Sequence, residues 1–315
     1  MITEENLNKK HPMSTFAAVA GISCIICALW GSAPTFIKMG YEFFNISSKN
    51  TMDILLFAGI RFAIAGLMVI IFYSFVNREF IHPEKGSWKA VIALSLSQTV
   101  VQYIFLYLGV ANASGTKTSI LSGSSSVLSV LMTCLVFRQE KLTGNKLIGS
   151  IIGIIGIIMV NLNGSADEFT LDMSLTGEGF VLLAGVSGAV SSSLIRKFSQ
   201  GQNPVMLSGW QFFVGGTGLS LIALVCGGSL DGFTFRGVGI LVYLGMVSAV
   251  AYTLRSVLLK YNPVSKVTVY NFLIPVFGVI MAAVFLGERD AFNIITFAAM
   301  VLICISIGIV NYTKK

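Results

Sequence analysis

The sequence predicts an all-α integral membrane protein: ten transmembrane helices arranged as two inverted five-helix repeats. Three observations carry that reading. Of 315 residues, 55% are hydrophobic and only 11% charged, against about 25% charged in a soluble domain. Mean hydropathy is +0.82, and so few charges cannot cover a soluble surface of this size. Apolar runs of membrane-crossing length recur along the chain, and the second half repeats features of the first at a spacing of about 150 residues. The composition excludes a cytosolic enzyme, a nucleic-acid module and a disulfide-stapled secreted domain.

The apolar runs fall near 16–38, 54–76, 89–110, 113–136, 143–161, 178–197, 205–226, 237–260, 264–286 and 292–312. They divide the chain into a cytoplasmic tail (1–15), a first repeat (16–161), an extracytoplasmic connecting loop (162–177) and a second repeat (178–315). The tail, MITEENLNKKHPMS, lacks a signal-peptide cleavage site. Orientation follows from Lys and Arg. With the N-terminus inside, inner segments hold fourteen of them and outer segments five, while Arg61 and Arg255 lie within spans. Both termini are therefore expected in the cytoplasm, and the net charge of +7 reflects this bias rather than a nucleic-acid partner. All five cysteines fall in apolar runs, and Cys24 and Cys27 read as buried small residues. No cofactor or metal is expected.

FAGIRFAIAG (57–66) aligns with LSGWQFFVGG (207–216), matching Gly59 to Gly209, Arg61 to Gln211 and Phe62 to Phe212. VFRQE (136–140) aligns with VFLGE (284–288), and Val160-Asn161 with Val310-Asn311. Five spans per half is an odd number, so the second half enters from the opposite face. Such inverted repeats support alternating access in many carriers, with the substrate site near the midplane between the halves.

ALWGSAPTFIK (28–38), GIRFAIAG (59–66) and NPVSKVTVYNFLIPVFGVIMAAVFLGE (262–288, with Pro275), continued by FLGERD (285–290), resemble the drug/metabolite transporter superfamily in its ten-helix, EamA-type branch. The resemblance covers nearly the whole chain from residue 16. It implies a central cavity lined from both halves, with the fifth and tenth spans outside it. It also implies export, although the family's substrates range over amino acids, nucleotide sugars, drugs and other metabolites. The fourth span departs from the pattern, with serines where the ninth has its proline.

The polar residues inside the spans are the candidates for a substrate site. Arg61 lies two turns into its span, where a charge costs about 3 kcal/mol or more unless it meets water or a partner. Either a substrate carboxylate, or helix-end carbonyls, Glu42 or Asp53, would supply that partner. Arg255, five residues before Lys260, is expected to snorkel to the inner interface. Gln98, Gln102 and Ser95 form a polar stripe in the third span, with Tyr103 one residue around. Ser122, Ser125, Ser126, Ser129 and Thr133 share one face of the fourth, which suits either a solvated cavity or close packing. Tyr270 and Asn271 precede Pro275, which removes the helical donor for the Asn271 carbonyl. Trp30 and Trp210 are placed as walls around an apolar group. Gly149 and Gly153 form a GxxxG that serves either intramolecular packing or a homodimer face.

No Asp or Glu falls clearly inside a span, since Glu140, Glu178 and Glu288 sit at ends. That argues against proton antiport and organic cations, and favours a zwitterionic or anionic solute. Gly185-Val186-Ser187-Gly188 has the GxSG form of an intramembrane serine protease, but no histidine lies in a span to activate the serine. No filter-like segment suggests a channel. The expectation is a multi-pass transporter of the cytoplasmic (inner) membrane, with the lipid bilayer and a small-molecule substrate as its partners. It would move an amino acid or similar solute by alternating access, the alternative being a multidrug or nucleotide-linked metabolite carrier. Arg61 would bind the carboxylate; Gln98, Gln102 and Asn271 would orient polar groups; Trp30 and Trp210 would flank the apolar part; Tyr103, Ser122, Ser126 and Tyr270 would complete the lining.

Overall fold

A computed structural model describes residues 11–47, 49–112, 115–162, 174–285 and 294–312, and among these every regular element is helical. In chain order they are α1 (Phe16–Phe43), α2 (Thr51–Asn77), α3 (Trp88–Leu94), α4 (Gln102–Asn112), α5 (Gly115–Leu131), α6 (Gly144–Leu162), α7 (Phe180–Ser199), α8 (Pro204–Val225), α9 (Phe235–Tyr261), α10 (Val264–Thr268), α11 (Ile274–Phe285) and α12 (Ile294–Asn311). A π-wound stretch, Ser95–Val101, joins α3 to α4 without a break, and a 3-10 turn, Val269–Leu273, joins α10 to α11. Six of the resulting rods are long and apolar enough to cross a bilayer, and four shorter apolar helices accompany them.

Local sequence sets the helix starts. The side chains of Thr15, Asn50, Asn203 and Thr234 each accept a backbone N–H in the first turn of α1, α2, α8 and α9. Pro204 occupies the opening turn of α8, where its missing N–H costs nothing. Outward-facing residues are apolar, among them Phe72, Phe75 and Val225. Such a surface belongs in lipid rather than water.

The most extensive helix pairing is α2 against α8, followed by α6 against α12. Glycines make the first contact a backbone contact. A Cβ built on Gly66 would stand 2.3 Å from the Phe213 N, and one on Gly216 2.3 Å from the Ala63 N. Phe62 and Phe212, equivalent positions of the sequence repeat, stack there with ring centroids 5.4 Å apart. The GxxxG of α6 is spent inside the chain: Gly149 meets Val310 and Ser306, and Gly153 meets Phe272. α1 packs on α9 and α11, while α7 packs on α4 and α5.

Polar straps close the end of the bundle that carries the start of α1. The Asn262 amide donates to the Met13 carbonyl at 2.9 Å, Lys266 Nζ to the Ser14 carbonyl at 3.2 Å, and Gln139 Nε2 to the Ser193 carbonyl at 3.0 Å. Glu140 is the densest of them. Its Oε1 accepts the Val264 N–H at 2.5 Å, capping α10, while Oε2 accepts the Ser265 hydroxyl and Lys146 Nζ, the latter at 2.8 Å. Burial would push the Glu140 carboxyl up, but the bonds from Lys146 and Ser265 outweigh it and hold it below the ordinary 4.5. A lowered folded-state value means stabilisation that is complete above 4.5 and is lost as pH falls through that lower value. E140Q should therefore cost about 1–3 kcal/mol at neutral pH. Thermal melts of the two proteins across an acid series should converge at the acid end; a constant gap would refute the charge-based account.

Candidate functional site

A cavity of about 380 Å³ lies inside the bundle, lined by residues from α1, α2, α4, α5, α7, α9 and the α10–α11 rod. Among the described residues, none from α6 or α12 lines it. Its lining runs from Arg255, Ser192 and Asn271, deep in the bundle, to Ile37, Tyr107 and Leu244, nearer the end opposite the Glu140 straps.

Of the residues singled out from sequence, Arg61, Gln98, Gln102, Tyr103, Trp30 and Asn271 meet in this cavity. Arg61 is 4% exposed. Its guanidinium carbon stands 4.5 Å from the Phe62 ring centroid and 5.9 Å from that of Tyr103. Its Nε has no hydrogen-bond partner among the described residues. The anchor nearer the surface is engaged elsewhere, because Asp53 accepts the Asn50 amide at 2.5 Å and the Ser229 N–H at 2.8 Å. Gln98 Oε1 accepts the amide of Gln211 at 2.8 Å, and Ser95 donates to the Gln211 carbonyl at 2.9 Å. These residues lie on the π-wound stretch, which turns Gln98 inward across to α8. Gln102 lies against Gly188, where an added Cβ would come within 3.2 Å of its Oε1.

Trp210, Ser126 and Tyr270 are placed away from the cavity lining. Trp210 donates its indole N–H to the Ile81 carbonyl at 2.9 Å and stands edge-on to Trp88, so it pins the segment before α3. W210F should leave transport within about twofold while lowering stability by roughly the 1 kcal/mol of one hydrogen bond; counterflow and a melt on the same preparation check both. Ser126 donates to the Thr268 carbonyl at 3.1 Å and joins α5 to α10, whereas Ser125 and Ser129 of the same stripe do line the cavity. Tyr270 is buried in the apolar core, and the side chain of Ser122 lies outside the described residues. The Asn271 carbonyl is not left open either: the Ile274 N–H takes it, tightening the chain into the 3-10 turn before Pro275. Ser187 donates to the Ser97 carbonyl at 2.6 Å, a helix-to-helix tie.

Arg255 corrects the sequence reading. It does not snorkel to the interface; it is 6% exposed, lines the cavity, and donates to Asn271 Oδ1 at 3.2 Å and Ser192 Oγ at 2.9 Å. Its guanidinium carbon lies 5.4 Å from the Trp30 ring centroid. The missed signal is periodic: Ser248, Tyr252 and Arg255 stand at offsets 0, 4 and 7, one face of α9, and all three line the cavity. Proximity to Lys260 hid it. Tyr107 and Tyr252 were also missed, as was the bond between the Tyr103 and Tyr252 hydroxyls at 3.0 Å.

Spanning helices with a lipid-type exterior, wrapped around a cavity of solute size whose largely apolar lining carries two arginines, amides and hydroxyls, define a multi-pass membrane transport protein. The chain belongs to the EamA-like transporter family, whose model matches it twice, over residues 17–162 and 175–312. A protein of Archaeoglobus fulgidus named as an uncharacterised transporter is 26% identical over 281 residues, covering 87% of this chain and 93% of its own. One of Synechocystis, similarly named, is 25% identical over 284 residues, covering 83% and 80%. A chloroplastic WAT1-related protein of Arabidopsis thaliana is 24% identical over 265 residues; the match takes in 82% of this chain and 62% of that longer protein. One solved crystal structure superposes with a TM-score of 0.76 at 16% identity, over 94% of this chain and 97% of that one, and so shares the fold.

Proposed function

We propose that this protein is a secondary carrier that moves a small organic anion or zwitterion, such as an amino acid, across the cytoplasmic membrane by alternating access. The observation that carries the reading is the cavity itself: it is lined from both halves of the chain and contains two arginines. The six long rods and four shorter ones would make ten spans, in repeats at 16–161 and 178–315. Helix packing supports a two-fold relation between them, and five spans per half would make it an inverted one. α1 on α9 and α11 is mirrored by α7 on α4 and α5, and α2 with α8 and α6 with α12 pair like with like, as a two-fold exchange of halves would produce.

The bias of Lys and Arg assigns the strapped end to the cytoplasm, so the cavity faces outward and the straps form the closed inner gate. Arg61 and Arg255 receive the negative group, Gln98, Gln102 and Asn271 orient polar atoms, and Trp30 with the cavity tyrosines flanks the apolar body. Export is the direction in keeping with the family resemblance. The protease alternative lacks a base, because neither histidine falls in a span, and Ser187 instead ties two helices through the Ser97 carbonyl. The test is thermal stabilisation of purified protein by amino acids, nucleotides and organic cations, followed by counterflow in proteoliposomes. Saturable counterflow of an anion or zwitterion is expected. Stabilisation by cations alone, or continuous current at fixed voltage, would overturn the reading.

A further inference from the structure

We infer that the cavity selects solutes of net negative charge, with two acidic groups and a ring-bearing body, over zwitterions, because Arg61 and Arg255 both line it while, among the described residues, no carboxylate does. The inference rests on the carrier reading and narrows its substrate class.

Two fixed cations share one low-dielectric cavity. Arg61 is held by faces of aromatic rings, and Arg255 by an amide oxygen, a hydroxyl and a ring face, all of them neutral groups. No Asp or Glu is among the described residues that line the cavity. Neutral partners solvate a guanidinium without cancelling its charge, so the lining presents a positive potential that an incoming anion relieves. The two sites are joined by a continuous chain of contacts. The Tyr103 ring lies beside Arg61, its hydroxyl meets that of Tyr252 at 3.0 Å, the Tyr252 ring stands 4.9 Å edge-on to Trp30, and Trp30 faces Arg255. Aromatic surface therefore lies between two anion-binding heads. A zwitterion offers one carboxylate to this arrangement and brings an ammonium for which the lining has no acidic partner; it must be desolvated beside two like charges. A dianion presents a second carboxylate to the same positive lining and a ring to Trp30 and Tyr252, with no ammonium to desolvate.

Three probes of one skeleton separate the cases: phenylsuccinate (dianion), 3-phenylpropionate (monoanion) and L-phenylalanine (zwitterion). Each is titrated against the purified full chain by thermal shift, then used as counter-substrate in proteoliposomes. Apparent affinity should follow that order, with about tenfold or more between dianion and zwitterion, the scale of one charge-assisted contact. R255Q should weaken phenylsuccinate about tenfold and 3-phenylpropionate less, and R255K should restore part of the loss. Should R255Q fold poorly, S192D supplies the same information by placing a carboxylate beside Arg255 and neutralising that head without removing it; it should cost the dianion its advantage. L-phenylalanine binding as well as the dianion, no probe binding at all, or R255Q and S192D leaving the order unchanged would each overturn the inference. Zwitterion exchange in the liposomes would do so while leaving the carrier intact. Preferential dianion binding without counterflow would instead sink the carrier reading and leave this one standing.

Discussion

Replacing Gly216 by leucine should separate the two halves of the protein. The contact between α2 and α8 has no room for a side chain, since a Cβ on Gly216 would sit 2.3 Å from the Ala63 N and 2.7 Å from the Gly59 carbonyl oxygen. The atoms met are backbone, so no rotamer change relieves the clash, and the helices must move apart. Moving them also unstacks Phe62 from Phe212 and disturbs the fully buried Leu219. Overpacking of this kind costs about 3 kcal/mol or more, a large part of the stability of an ordinary domain. G218L is the matched control, because nothing lies within 4 Å of a Cβ at Gly218, two residues along the same helix. Thermal melts in detergent should place G216L far below G218L; equal stability would show that the glycine contact does not hold the halves together.

R61Q should abolish most carrier activity and yet leave the empty protein as stable as before, or more so. The cation costs about 3 kcal/mol at membrane depth. Its ring contacts with Phe62 and Tyr103 return about 0.5–2 kcal/mol, so the balance disfavours keeping the charge for structure alone. A neutral amide escapes the penalty and loses the charge-assisted contact with an anionic solute, worth about 1.5–3 kcal/mol, or roughly ten- to a hundredfold in affinity. Transport falling while the melting temperature holds or rises identifies a solute-binding charge. If both fall together, Arg61 is a strut.

The two outcomes follow from residues of unequal legibility. Helix positions were readable because lipid imposes one rule on every exposed residue, and the apolar runs announced α2, α8 and α9 to within a few residues of their ends. Gly59 and Gly209 were visible as a repeat, although only the packing shows that the repeated surfaces meet each other. Arg61 stood out because it is alone in its span. Arg255 did not, because a nearby Lys260 offered it a route to the interface, and Trp210 looked like a cavity wall because a tryptophan carries no mark of which neighbour it faces.

From the sequence alone came the solvent of this protein, the order of its helices and the presence of uncompensated positive charge inside them, because those depend on composition and on spacing along one chain. The tertiary structure decided which polar residues converge. It sent Trp210 and Ser126 to helix ties, brought Arg255 and Tyr252 to the cavity beside Arg61, and set Glu140 across the start of α10. The physical reason is that a site is made by side chains meeting from different helices, and the rotation of each helix about its axis is settled by packing against the others, glycine backbone against glycine backbone.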